Sequence, residues 1–168
     1  MVIGPATADD AREIAHIHVD AWRAAYAGIM PDEHLAALSV DERETMWREA
    51  IAAGRPELLV ARLDGRVTGW ISFDRARESD AGAHIGEVWA LYLDPAHVST
   101  GLGSALWRGA KERLVARGFR SVILWVLAGN PRAIRFYERV GFAVDPGSAR
   151  LFTLGGREIE ELRCTMVL

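Results

Sequence analysis

Apolar residues recur with helical spacing in the first third of the chain. Between Asp9 and Tyr26 they form one stripe that fits the 3.6-residue period of an amphipathic helix. A second, short helix is expected over Asp32–Leu38. The segment Ser39–Ala53 predicts a third helix, because Ser39 and Glu42 form a capping box at its start.

Strands are indicated where β-branched, aromatic and large apolar residues cluster. Residues 1–6 are expected to form an edge strand. The runs Glu57–Leu63 and Arg66–Asp74 are joined by Asp64-Gly65, which is the strongest hairpin signal in the chain. The small and polar residues Arg75–Gly82 predict a loop after this hairpin.

The remainder of the chain alternates strands and helices. A central strand over Gly86–Leu93 is stopped by Asp94-Pro95, and a glycine-containing turn leads into an amphipathic helix. Apolar residues recur every four positions in that helix, at Leu102, Leu106, Ala110 and Leu114. A strand at Ser121–Leu127, a helix at 131–140 and two strands flanking Gly155-Gly156 complete the predicted order.

The glycine-containing turn, Ser99–Ser104, lies between the central strand and its helix. A helix N-terminus presents unpaired backbone N–H groups and the positive end of the helix dipole, and glycines let an anion approach the backbone. The pattern therefore indicates a site for a phosphorylated ligand, with a plain turn as the alternative. A dinucleotide fingerprint would need glycine where Leu106 stands, and an ATP or GTP loop would need Gly-Lys-Ser/Thr after Gly103, so both are excluded.

A second segment begins at the end of the next strand. Asn130 suits an N-cap, Pro131 suits the first helical position and Gly141 suits a helix stop. With the glycine turn, this segment resembles the two acyl-CoA-binding motifs of the GNAT superfamily of N-acetyltransferases, in the same order and at the usual separation. The residues that carry the resemblance are Val98-x-x-Gly101-x-Gly103 and Asn130-x-x-Ala133-x-x-Phe136-Tyr137-x-x-x-Gly141-Phe142.

The resemblance implies an α/β (α+β) fold and an enzymatic function. The GNAT fold is a mixed, strongly twisted sheet of six or seven strands with helices on both faces, expected here as a single domain over residues 1–168. The implied activity is transfer of an acetyl group from acetyl-CoA to an amine of a small molecule or peptide, by direct attack in a ternary complex. The alternative is a non-catalytic acyl-CoA-binding sensor or interaction module, and a longer acyl donor also stays open.

The resemblance also implies which residues hold acetyl-CoA. The pyrophosphate is expected on the backbone amides of the turn, at Ser99, Thr100, Gly101, Leu102, Gly103 and Ser104. A bulge in the central strand is expected to free backbone groups for the acetyl carbonyl and the pantetheine arm, at Leu91, Tyr92 and Leu93. The neighbouring strand and Asn130 are expected to line the other side of the cleft, and Asn130 and Tyr137 are both expected to bind the cofactor.

One motif position departs from the family pattern. Val98 stands where the family usually has Arg or Gln, which predicts weaker cofactor binding because one contact to the phosphates is absent. Residues that offer compensation are the basic side chains Arg108, Lys111, Arg132 and Arg135, for which solvated surface charges are the alternative interpretation.

Two catalytic residues follow from the resemblance. An alkyl amine is mostly protonated at neutral pH, so a base must remove a proton before the amine attacks. Glu87 lies 16 residues before Gly103, at a position where several GNAT enzymes keep a general-base glutamate. Tyr137 lies at the position of the general acid that protonates the departing CoA thiolate. The alternatives are an exposed strand carboxylate and a core aromatic.

An aromatic wall is predicted for the acceptor site. Strand alternation places Glu87 and Trp89 on one face, and Trp125 replaces a glutamate that some members carry on the strand before Asn130. Aromatic faces beside a carboxylate suit a cationic acceptor. The candidates for this wall are Trp22, Tyr26, Trp89 and Trp125. Polyamine, amino acid, aminoglycoside-like drug and peptide N-terminus all stay open.

Composition, charge and residue spacing narrow the remaining classes of function. A net charge of −3, with basic and acidic residues interleaved, gives no electrostatic signal for nucleic acid. His16 and His18 point to different sides of a helix and no other set has ligand spacing, so no metal is predicted. No apolar run reaches membrane length, and no signal peptide is recognised. A cytoplasmic location without membrane partners is therefore expected, and a homodimer is compatible with the family.

Overall fold

The computed structural model of the protein describes residues 1–79 and 81–168. Asp80, within the predicted loop, lies outside the described residues. In chain order the elements are β1 (Val2–Pro5), α1 (Ala11–Ala25), α2 (Asp32–Ala36), α3 (Val40–Ala53), β2 (Glu57–Leu63), β3 (Arg66–Arg75), β4 (Ile85–Leu93), α4 (Leu102–Ala116), β5 (Ser121–Leu127), α5 (Pro131–Arg139), β6 (Ala143–Val144), β7 (Arg150–Leu154) and β8 (Arg157–Val167).

The described strands form one mixed sheet of eight strands. The order is β1-β2-β3-β4-β5-β8-β6, and β7 pairs with the start of β8 on the same side as β6. Neighbouring strands are antiparallel except β4 and β5, which are parallel. The predicted fold class is confirmed. The strand count exceeds the expected six or seven because the two-residue strand β6 is too short to produce an alternating pattern.

Helices cover both faces of the sheet. On one face, α1 and α3 pack over Val60, Val67 and Trp70. On the other, α4 buries Leu106, Ala110 and Leu114 against the second core. The two cores explain the apolar stripes, because each stripe is the side of a helix that contacts the sheet. No helix in the described part of the chain is both long and apolar enough to cross a bilayer.

Local signals at helix and strand ends match the structure. Asp64 and Gly65 have positive φ angles of 50° and 82°, as a tight hairpin turn between antiparallel strands requires. The hydroxyl of Ser39 accepts a hydrogen bond from the Glu42 N–H at 3.3 Å, and α3 begins at the next residue. The helix predicted from Asp9 instead starts at Ala11, because a single 3-10 turn over Ala8–Asp10 precedes it.

Candidate active site

The two central strands separate partway along their length. β4 pairs with β5 only where Ile85–Glu87 meets Ser121–Ile123, although β4 continues to Leu93 and β5 to Leu127. A cavity of about 1160 Å³ opens where the strands diverge. Its walls come from the end of α1, from β4, from the glycine turn, from β5 and from α5. The divergence of β4 from β5 therefore creates the cleft that the sequence motifs surround.

A β-bulge lies in β4 at the point of divergence. Ser72 pairs with Ala90 and Phe73 pairs with Val88, so Trp89 is the additional residue. A bulge of this kind bends the strand and interrupts the ladder, which turns the end of β4 away from β5. The structure thus has the bulge that the resemblance predicted in the central strand.

The bulge also changes which side chains share a face. Val88 packs in the same core as Leu91 and Leu93, while Ala90 and Tyr92 pack beneath α1 and α3. Strict alternation would have grouped Val88 with Ala90 and Tyr92. When alternation is counted across Trp89, it therefore assigns side chains beyond the bulge to the wrong face of the sheet.

The glycine turn precedes α4 as expected. Ser99 and Gly101 have positive φ angles of 66° and 90°, and Gly101 is the N-cap of the helix. A positive φ suits glycine best because other residues crowd their own backbone there. Thr100 does not line the cavity, because its hydroxyl donates to the backbone oxygen of His97 at 2.6 Å. Leu102 does not line it either, because its side chain is buried in the core.

Gly103 has a packing role of its own. A Cβ at this position would lie 3.2 Å from two ring carbons of Phe136. Phe136 belongs to α5, so the missing side chain lets α5 approach the first turn of α4. The two motifs thus meet, with backbone N–H groups of α4 on one side and α5 on the other.

The helix after β5 brings the predicted acid to the cavity. The side-chain oxygen of Asn130 accepts the N–H of Ala133 at 3.1 Å, which caps α5 and sets its direction. Tyr137 lines the cavity from this helix. Burial first, then the nearby Tyr26 and Cys164, raise the pKa of Tyr137 well above its usual value. The phenol therefore stays protonated at neutral pH and can donate a proton.

The four aromatic candidates come from three parts of the chain, which are the end of α1, β4 and β5. Trp22, Tyr26, Trp89 and Trp125 all line it. The hydroxyls of Tyr26 and Tyr92 lie 3.1 Å apart and share a hydrogen bond. Burial raises the pKa of both phenols, so this pair is uncharged at neutral pH.

Two of these rings already carry a cation from the chain itself. The guanidinium of Arg77 lies 4.7 Å from the centre of the Trp89 ring, and that of Arg150 lies 3.5 Å from the centre of the Trp125 ring. Both distances are typical of cation–π contacts. On each of these two rings an arginine of the chain therefore occupies one face.

Glu87 lies outside the cavity. It is 1% exposed, and its carboxylate accepts the Arg77 guanidinium at 2.5 and 3.1 Å and the Arg77 backbone N–H at 2.8 Å. Glu87 and Trp89 both contact Arg77, as expected for neighbours on one side of the strand. The segment after β3, however, folds over Glu87 and separates its carboxylate from the cavity, which strand alternation could not reveal.

Most of the predicted site residues line the cavity, and three do not. Glu87, Thr100 and Leu102 do not contribute to the cavity wall. Those that do are Trp22, Tyr26, Trp89, Leu91, Tyr92, Leu93, Ser99, Gly101, Gly103, Ser104, Trp125, Asn130 and Tyr137. Val98 and two of the compensating residues, Arg132 and Arg135, also line it, whereas Arg108 and Lys111 do not.

Sequence reasoning missed two charged residues of the cavity. Arg139 lines it together with Arg132 and Arg135, and their spacing on α5 was the available signal. Glu161 is the one carboxylate among the described residues that line the cavity. Its position depends on the pairing of β5 with β8, which places it opposite Leu127. That register was not visible in the sequence.

Metal chemistry has no support from clustered ligands. Within residues 1–79 and 81–168, no three His, Cys, Asp or Glu side chains gather as a metal site would require.

Comparison with known sequences identifies the family. The profile of the Acetyltransferase (GNAT) family matches residues 12–142 of this chain. A relative from Bacillus subtilis, the uncharacterized N-acetyltransferase YuaI, is 34% identical over 139 residues, covering 82% of this chain and 78% of the relative. The chain belongs to the GNAT family of acetyltransferases. The predicted enzyme class, an acyltransferase of the acetyl-CoA-dependent type, is confirmed.

Solved structures support the fold. The putative acetyltransferase YncA from Salmonella typhimurium, solved with acetyl-CoA, superimposes with a TM-score of 0.78 at 26% identity and covers 100% of this chain and 94% of its own. The PaiA N-acetyltransferase from Thermoplasma acidophilum, solved with coenzyme A, has a TM-score of 0.79 at 20% identity and covers 100% of both chains.

Proposed function

We propose that this chain transfers the acetyl group of acetyl-CoA to a primary amine by direct attack within a ternary complex. The observation that carries the proposal is the continuity of the cavity, which extends from the glycine turn to the aromatic wall. A donor held at one end and an acceptor at the other would meet where β4 and β5 diverge. Holding both reactants in one cleft makes attack effectively intramolecular.

Backbone groups are proposed to hold the donor. Residues Ser99–Ser104 offer the N–H groups that begin α4 to the pyrophosphate, where the helix dipole adds to the attraction. Beyond the bulge, Leu91–Leu93 has no pairing with β5. Its outward backbone groups are therefore free to bind the pantetheine arm and the acetyl carbonyl.

Three arginines of α5 are proposed to compensate for Val98. Arg132, Arg135 and Arg139 line the cavity, and the neighbouring Phe136 contacts the first turn of α4 beside Gly103. The basic face of α5 is thus close to the proposed phosphate position. Arginine is well suited to this role because its guanidinium binds phosphate oxygens in pairs.

Tyr137 is proposed as the acid in the last step. Attack of the neutral amine forms the C–N bond, and collapse of the tetrahedral intermediate breaks the C–S bond. The departing sulfur takes the phenolic proton, and the proton lost by nitrogen returns to Tyr137 through solvent. The raised pKa of Tyr137 suits this role, because the residue must be protonated when the sulfur leaves.

Glu87 is proposed to act through Arg77 rather than on the amine itself. Its carboxylate is bound on both oxygens and does not line the cavity. Arg77 in turn lies on the ring of Trp89, at the bulge. In this proposal Glu87 positions the segment that shapes the cleft.

Calorimetry and a thiol-release assay test the function. The purified protein is titrated with acetyl-CoA, and free thiol is then followed with a panel of primary amines. Binding with amine-dependent release supports the transferase. Binding without release from any amine would instead indicate the sensor, and absence of binding would contradict the proposed donor site. Butyryl-CoA, run in parallel, tests the length of the acyl group.

A further inference from the structure

Among residues 1–79 and 81–168, one carboxylate lines the cavity, and its surroundings differ from those of the predicted base. Glu161 lines the cavity, whereas Glu87 is enclosed. The Glu161 side chain is 16% exposed, and its Oε1 accepts the Arg150 Nε–H at 2.5 Å. Among the described residues, no hydrogen bond to the second oxygen, Oε2, is formed. A charged acceptor atom is therefore available in the cleft.

The strand register explains why Glu161 faces the cavity. Glu161 pairs with Leu127 on one side and with Arg150 on the other. Paired residues in neighbouring strands share a face. Leu127 lies in the apolar cluster of the α1 end, so Glu161 faces the same space. It stands beside the predicted aromatic wall rather than beside the glycine turn.

Arg150 holds this carboxylate in place. Its guanidinium rests on Trp125 and donates to Glu161, so ring, cation and carboxylate form a continuous stack. Arg150 is thereby already engaged with two partners. It anchors Glu161 and is not a free binding group for an anion on the acceptor.

Leu127, the residue paired with Glu161 on β5, belongs to an apolar cluster. The same cluster contains side chains from the end of α1, from the turn that follows it and from β7, which are Trp22, Tyr26, Ile29, Met30 and Phe152. All five of these side chains line the cavity. A substrate that fits here must bring a positive charge to Glu161 and apolar surface to the other walls.

We propose that Glu161 binds the ammonium group of the acceptor and takes its proton, and that the acceptor is a primary amine whose remaining part is apolar. This inference rests on the proposed transferase function. Glu161 accepts one proton from the ammonium. The neutral amine then attacks the acetyl carbonyl and forms the C–N bond, C–S cleavage follows, and Tyr137 protonates the sulfur. The second proton of the nitrogen is lost after attack and returns to Tyr137 through solvent. An acceptor with a carboxylate next to its amine is disfavoured, because that charge would face Glu161.

Other charged and titratable groups in the described part of the chain line the cavity or lie near Glu161. Arg132, Arg135 and Arg139 line the cavity from α5. Arg150 reaches Glu161 from β7. Arg163, two residues further along β8, is engaged by Asp145 and Glu78. Tyr26, the residue after α1, and Tyr137 of α5 line the same cavity. Both are uncharged at neutral pH because burial raises their pKa values.

Two variants and a neighbouring control test the role of Glu161. With 2-phenylethylamine as acceptor, Glu161→Gln should lower kcat/KM by about tenfold or more, the loss expected when a charged partner of a bound ammonium is removed. Glu161→Asp keeps the charge and should recover part of this loss. Glu160→Gln, an exposed neighbour, should stay within about twofold of the unmodified protein. Equal kcat/KM for Glu161→Gln and the unmodified protein would overturn the proposal.

The pH profile separates proton removal from simple packing. A free amine needs no base, so the defect of Glu161→Gln should shrink as the pH approaches about 10, near the pKa of an alkyl ammonium. A defect that is constant over the whole pH range would contradict proton transfer to Glu161.

Acceptor preference tests the substrate class. The expected order of kcat/KM is 2-phenylethylamine above phenylalanine, which adds a carboxylate, and above ethanolamine, which lacks the apolar body. Preference for phenylalanine or ethanolamine would overturn the inference.

The affinity for acetyl-CoA separates this inference from the proposed function. It should be unchanged in Glu161→Gln. Thiol release with other amines but not with 2-phenylethylamine would refute the acceptor class and leave the transferase intact. Absence of acetyl-CoA binding would refute both.

Discussion

His18 is a buried imidazole whose protonation should weaken the fold. It is 5% exposed, and its Nδ1 accepts the Trp47 indole N–H at 3.1 Å. Its ring stacks on Tyr92, which shares a hydrogen bond with Tyr26 at the cavity. Burial, with a smaller contribution from the charge of Arg43, lowers the pKa of His18 to about 3.

The size of the effect follows from the two pKa values. An unfolded histidine titrates near 6.5, so below that pH the unfolded chain takes up a proton that the folded chain does not. The contribution of neutral His18 to the free energy of unfolding is fully present above the unfolded pKa and is lost as the pH falls below it. With a folded pKa of about 3 for His18, lowering the pH from 7 to 5 should cost about 2 kcal/mol.

Urea unfolding at pH 7 and pH 5 measures this loss. His18→Gln removes the titration and keeps an acceptor for Trp47. Other groups contribute equally in both proteins, so the unmodified protein should lose about 2 kcal/mol more than the variant over this range. His16→Gln changes an exposed histidine of the same helix and serves as the control. Equal losses in the unmodified protein and His18→Gln would refute the reasoning.

Three further substitutions test the proposed site. Tyr137→Phe should lower turnover by about 100-fold or more while changing acetyl-CoA affinity by less than about threefold, and unchanged turnover would remove it from the mechanism. Gly103→Ala places a methyl group 3.2 Å from Phe136 and should weaken acetyl-CoA binding in calorimetry. Adding Phe136→Leu should restore the binding, and full affinity in Gly103→Ala alone would contradict this packing role. Glu87→Gln breaks the pair with Arg77 and should lower the unfolding free energy by about 1–3 kcal/mol. The pH profile of kcat/KM should be unaltered. A kcat/KM that falls only at low pH in this variant would restore Glu87 as the base.

Local and short-range features were predictable from the sequence. The hairpin at Asp64-Gly65 and the caps at Ser39 and Asn130 each depend on a few adjacent residues, and the structure has all of them. The two acyl-CoA motifs also lie in continuous segments. Their place at one cavity follows from strand β4 standing next to strand β5.

Features that depend on distant pairing were not predictable. Glu87 was expected in the cleft because strand alternation places it on the same face as Trp89. Alternation gives no information about Arg77, which covers Glu87 from the loop after β3. Glu161 escaped notice because only the register between β5 and β8 brings it opposite Leu127. The stack of Arg150 on Trp125 depends on the same part of the sheet.

The most direct test of the account follows both products of the proposed reaction at once. The purified protein is incubated with acetyl-CoA and a panel of primary amines, and acetylated amine is measured by mass spectrometry while free thiol is titrated. N-acetylated amine and CoA thiol should form in equal molar amounts, and both should be greatly reduced in Tyr137→Phe. Bound, intact acetyl-CoA without acetylated product from any amine would contradict it.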